Sequence, residues 1–139
     1  MKESKKRSDC PVSNSLEAFG DKWSLLIVRD LISKKECTYG DFIKADEKIA
    51  TNILAARLVS LEENDIIQKL EHPDSKAKVL YRLTQKGIDL IPIIVEINLW
   101  AEKHSEIPES RKGVLSEINN NKEEYIENLI SELKINNGL

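Results

Sequence analysis

Cysteine is nearly absent from this chain: Cys10 and Cys37 are the only two in 139 residues. Two cysteines build no disulfide framework. Two histidines, His72 and His104, add no close metal-ligand spacing, so no metal site is expected. Glycine is sparse and scattered: Gly20, Gly40, Gly87, Gly113 and Gly138 form no phosphate-cradling loop. No apolar run approaches the ~20 residues of a membrane span, and no charged-then-apolar signal opens the chain. No nucleophile, base and orienting group fall into a catalytic pattern. The expectation is a soluble cytoplasmic protein without cofactor, membrane partner or enzymatic activity.

What is present suits one domain with an appendage. The chain is 40% hydrophobic and 32% charged, enough for a real core in a soluble protein. Its net charge of −3 does not advertise nucleic acid. The distribution says more. Residues 1–104 carry 17 basic and 17 acidic side chains, whereas 105–139 carry 4 and 7. Any DNA contact must therefore use a local, shaped face rather than bulk charge.

Residues 1–9 form a short basic arm, with Lys2, Lys5, Lys6 and Arg7 and no apolar anchor. Asn14 with Glu17 three residues on predicts a capped helix over 14–19, ending at Gly20. Asp21 caps a core helix over 22–33, with Trp23, Leu26, Ile27 and Leu31 on one face. KKEC at 34–37 reads as a loop. Thr38 caps a short helix, TYGDFIKA, with Asp41 at the favourable third position.

The stretch 49–61, IATNILAARLVSL, holds about three and a half turns at ~3.6 residues per turn. Ile49, Ile53, Leu54, Leu58 and Leu61 gather on one side, and Lys48, Thr51, Asn52, Ala55 and Val59 on the other. The outward start offers a cation, a hydroxyl, a carboxamide and a methyl. Such short groups read base edges in a major groove; they equally suit the solvated face of an ordinary core helix. Two short helices joined by a tight turn make a helix-turn-helix. Strands over 66–71 and 79–83 follow, separated by the turn-forming PDSKAK. The fold class expected is mainly α with a small β-hairpin (α+β): a winged helix-turn-helix.

Thr84 caps a long helix over 85–103 that is apolar almost all round, with Pro92 as a point for a kink. One face covers the core; the other calls for a second copy of the chain, hence a homodimer. SEIPE is a hinge. Residues 110–135 show helical spacing interrupted at 119–121. They form an acidic helical extension, expected to serve the dimer and stay away from DNA.

These pieces resemble the HxlR-type branch of the MarR-like winged-helix regulators. Cys10-Pro11-Val12 before Gly20-Asp21-Lys22-Trp23 is similar to its opening "CPV … GxKW". Tyr39-Gly40-Asp41-Phe42 resembles its second helix. The run from Ile49 to Glu63, with Arg57-Leu58 and Leu61-Glu62, resembles its recognition helix. Val79, Tyr81, Leu83, Thr84 and Gly87, leading to Trp100 and His104, resemble its wing and long helix. The likeness covers 10–104; the arm 1–9 and the extension 105–139 stand outside it. Two positions depart from the pattern. Ala50 stands where a capping Ser or Thr is common, and Asp65 stands where Gly is usual.

The resemblance implies a transcriptional regulator, a repressor by expectation, binding a palindromic double-stranded DNA operator as a homodimer. Thr51, Asn52 and Ala55 are the base-reading candidates, with Asn52 suited to adenine and Ala55 to a thymine methyl. Lys48 suits a phosphate. Arg57 falls among the apolar positions, where it either snorkels to a carboxylate or reaches a phosphate. Lys76 and Lys78 near the wing tip are flanking contacts or solvated turn lysines. The cysteine of the "CP" motif senses quinones, electrophiles or oxidants in several similar regulators and only packs in others. Cys10 is thus a redox-sensing candidate, with cations before it and a helix start behind it. Cys37 is the weaker one. A winged helix used for protein–protein assembly, without sequence-specific DNA binding, is the rival reading.

Overall fold

The computed structural model describes residues 6–139. Lys2 and Lys5 of the basic arm lie outside the described residues; Lys6 and Arg7 are exposed. Helix α1 spans Pro11–Phe19, three residues earlier than its expected start at Asn14. Cys10 is its N-cap, with no side-chain cap bond. Proline explains the earlier start. In the first turn its missing N–H costs nothing, and its fixed φ already suits a helix.

The next helix starts at Ser24 with Trp23 as its N-cap, two residues later than expected, and Asp21 bonds to its first turn from outside. Its Oδ2 accepts from the N–H groups of Trp23 and Ser24, both at 3.0 Å, and its Oδ1 accepts from the Ser24 hydroxyl. Helix α2, Ser24–Lys34, buries Ile27, Val28 and Leu31 at the centre of the core. KKEC is not wholly loop. Cys37–Thr38 form a short strand, β1, which pairs antiparallel with Tyr81 and Leu80. Two residues are too few for a period-2 pattern, so pairing with a distant strand decides the conformation. The wing is therefore a three-stranded sheet in the order β1-β3-β2.

Thr38 and Asp41 form the expected capping box at the start of α3, Tyr39–Ile43. The Thr38 N–H donates to Asp41 Oδ2 at 2.8 Å and the Asp41 N–H to Thr38 Oγ1 at 3.3 Å. Helix α4, Thr51–Glu63, buries Leu54, Leu58 and Leu61. Ile49 is buried but precedes the helix, and Ile53, expected inside, is 37% exposed. The later start shifts the buried stripe onto Leu54, Leu58 and Leu61, spaced four and three residues apart. Asp65 turns the chain out of α4 at φ 59°, the left-handed conformation that the usual glycine would take freely.

Strand β2, Ile67–His72, lies one residue later than expected, and β3, Ser75–Leu83, starts four residues earlier. Their connection is Pro73-Asp74, not six residues. Pairing passes from Glu71–Val79 directly to His72–Ser75, so Lys76, Ala77 and Lys78 bulge out near the tip.

The long helix is two helices. Thr84 caps only α5, Gln85–Ile88, its side chain accepting from the Gly87 N–H. After Asp89 and Leu90, helix α6 runs Ile91–His104. Pro92 lies in its first turn, so it opens a helix instead of kinking one. Residues 109–111 form a 3-10 turn, then α7, Lys112–Asn120, and α8, Lys122–Asn136, divide at Asn121. Asn121 caps α8 by accepting from the Glu124 N–H.

The buried face of this extension packs on its own chain. Ile118 and Leu133 join the same apolar cluster as Val28, Leu54 and Leu83. Asn137, 2% exposed, donates to the Leu83 carbonyl at 2.9 Å. Helix α7 packs against α6, and α8 against α5 and α6, which covers Leu115, Ile118 and Leu133.

Candidate nucleic-acid interface

The turn between α3 and α4 is pinned from below. Arg29 on α2 grips Glu47 with two parallel bonds, Nη1 to Oε2 at 2.9 Å and Nη2 to Oε1 at 2.8 Å. Its Nε also donates to Asp30 at 3.1 Å. The bonds from Arg29 outweigh the opposing burial and draw the Glu47 carboxyl down to about 2. Next along the chain, Lys48 takes a left-handed φ of 57° and points the chain toward Ile49, which is anchored in the core. Ala50 then caps α4 in an extended conformation with no side-chain bond, and Thr51 begins the helix.

The first turns of α4 present Thr51, Asn52 and Ala55 to solvent, with Lys48 exposed just before them. Val59 continues the outer face at 52% exposure. Tyr39 was not among the expected site residues. Its phenol donates to the Thr51 carbonyl at 2.5 Å, tying the start of α3 to the start of α4. An exposed aromatic in the first helix of a helix-turn-helix was the available signal.

Arg57 lies apart from that group. It is directed back toward Asp21, Nη1 to Oδ1 at 3.6 Å. Burial opposes ionisation of Asp21, but hydrogen bonds from Ser24 and Trp23, with Arg57 nearby, hold its carboxyl below the usual range. The carboxylate role weighed for Arg57 is thus the one its geometry presents. Lys76 and Lys78 are exposed on the wing bulge. Among the described residues, neither they nor Lys48 form an ion pair, whereas Lys69 lies 3.7 Å from Glu62 and links β2 to α4.

The model of the HxlR-like helix-turn-helix family matches residues 18–109. This chain belongs to that family. Among relatives, it is 32% identical over 97 residues to YdeP of Bacillus subtilis, an uncharacterized HTH-type transcriptional regulator, covering 70% of this chain and 75% of YdeP. It is 30% identical over 98 residues to the HTH-type transcriptional regulator YodB of the same organism, covering 70% and 87%. The reduced form of YodB superposes with a TM-score of 0.58 over 71% of this chain and 97% of that one. YodB structures also include diamide-treated and quinone-bound forms. The crystal structure of PA1607 superposes with a TM-score of 0.66 at 39% identity, over 75% and 71% of the two chains.

Within this HxlR-like fold the two thiols differ sharply. Cys10 is exposed at the N-terminus of α1. Cys37 is buried in β1, and burial, with Asp30 and Asp41 nearby, pushes its thiol up to about 12. A buried thiol held neutral is a poor nucleophile. Exposed apolar side chains include Val12 and Leu16 on α1, and Ile93, Ile97 and Trp100 on α6. No described helix is long and apolar enough to cross a membrane.

Proposed function

We propose that this HxlR-like protein is a transcriptional regulator, a repressor, that binds a palindromic operator as a homodimer through α4 and responds to modification of Cys10. The observation that carries the DNA reading is the start of α4, where Thr51, Asn52 and Ala55 are exposed. Such groups pair with adenine and touch thymine methyls in a major groove. Lys48, Lys76 and Lys78 supply phosphate contacts, with the wing beside the helix. Homodimerisation is supported by the uncovered Ile93, Ile97 and Trp100. It would place two α4 helices about one helical turn of DNA apart.

Thiol control is supported by the exposure of Cys10 against the burial of Cys37, and by the quinone-bound form of YodB. Cys10 precedes α1, whose Val12 and Leu16 are exposed, so an adduct there changes a surface available to a partner copy.

Fluorescence anisotropy with DNA from upstream of the protein's own gene tests the reading. The expected result is tight binding to one duplex and weak, salt-sensitive binding to shuffled ones. Equal affinity for every duplex would overturn sequence-specific binding and favour the protein–protein module. After quinone treatment, mass spectrometry should find Cys10 modified and operator affinity changed; an unmodified Cys10 with unchanged binding sinks the sensing role.

A further inference from the structure

The C-terminal helices do not close fully onto the winged-helix core. Between α2, α6, α7 and α8 lies a cavity of about 520 Å³, a size typical of small-molecule sites. Its walls include Ile94 and Val95 of α6, Ile118 of α7 and Leu129 of α8. Its charged lining is lopsided: Arg29, Lys35 and Arg111 contribute three cations, and Glu132 one carboxylate. Arg29 is already held by Glu47 and Asp30. Lys35 and Arg111 form no ion pair among the described residues. An apolar chamber with cations in its lining favours a ligand that is apolar along its body and anionic at one end.

The cavity is distinct from the surface offered to a second copy. Ile91, Ile94, Val95, Asn98 and Ala101 line it, recurring every three or four residues along α6. Ile93, Ile97 and Trp100 emerge on another side of the same helix. Most of the far wall is α7 and α8, beyond residue 109 where the family match ends.

We propose that this cavity binds a small amphipathic acid, with its aromatic or aliphatic body among Ile94, Ile118 and Leu129 and its carboxylate at Arg111 and Arg29. Arg29 gives the site a route to DNA. The same guanidinium grips Glu47, the residue before Lys48 and the entry to α4. A ligand carboxylate competing for Arg29 loosens that grip and lowers operator affinity.

Calorimetric titration of the full chain with benzoate, 2-naphthoate and octanoate, against neutral 2-naphthamide, tests this. At least one acid should bind in the micromolar to low-millimolar range, and 2-naphthoate about tenfold more tightly than its amide. Arg111→Gln should erase the preference for the acid. Val114→Trp, at a lining position that is 46% exposed and so tolerant of bulk, should block acid and amide alike. Thermal melts should show both variants folded; if either is not, Arg111→Lys, keeping charge and affinity, is the control that must bind. Absence of binding by every acid, equal binding of acid and amide, or wild-type binding by both variants would overturn the site. An acid that binds but leaves operator affinity unchanged overturns the link through Arg29. The titration uses no DNA, so its failure is distinct from a failure of operator binding.

Discussion

At Asn52 the protein exposes a carboxamide that, among the described residues, makes no side-chain hydrogen bond. If it reads adenine, Asn52→Ala removes about 1–3 kcal/mol of operator discrimination, five- to over a hundredfold, while binding to random DNA is unchanged; anisotropy with matched and shuffled duplexes measures both. Glu47 makes a second residue-level case. Its folded carboxyl is drawn from 4.5 to about 2, so its contribution is present above pH 4.5 and lost as pH falls toward 2. Both side chains of the pair are about a third exposed, 35% and 36%, and screening holds the effect to roughly 1 kcal/mol or less. Urea titrations at several pH values should show this acid loss in the wild type and less of it in Glu47→Gln. The Thr38–Asp41 box was legible because it spans three residues of one local motif. The Arg29–Glu47 grip was not, because it joins residues 18 apart on elements whose approach no local pattern encodes. Ile53 was misplaced for a similar reason: a helix wheel drawn from Ile49 starts two residues before the helix does.

Among the elements, the α5–α6 break shows how composition can conceal a boundary. The run from Ile88 to Leu99 is apolar enough to look continuous, yet Pro92 marks a beginning. Ahead of the break, Gly87 is packed so closely that a Cβ would lie 2.2 Å from the Ile66 carbonyl oxygen and 2.8 Å from Leu83 Cδ2. Gly87→Ala should therefore destabilise the fold by about 1–3 kcal/mol or more, read as a lower urea midpoint. The wing makes a different prediction. If Lys76 and Lys78 meet phosphates, changing each to Ala should reduce the salt slope of operator binding by about one and leave sequence preference intact. Strand β1 was invisible beforehand because two residues, Cys37 and Thr38, carry no alternation; only pairing with β3 makes them a strand.

For the whole molecule, α6 divides its apolar surface between its own chain and an uncovered stripe. Substituting both Ile97 and Trp100 with Asp should shift the protein from dimer to monomer in sedimentation while leaving its helical content in place, if that stripe joins two copies. The two-helix form of the extension was readable from its spacing and from Asn121, but its destination was not. An acidic exterior says where a segment avoids going, and only the packing of Ile118 and Leu133 shows where it goes. The bond from Asn137 to the Leu83 carbonyl has a further dynamic consequence. It spans 54 residues and joins the last turn of α8 to the base of the wing. The two regions therefore open as one cooperative unit instead of fraying separately. Amide hydrogens around Leu83 and in the last turns of α8 should exchange with solvent at a common rate, and Asn137→Ala should accelerate both together.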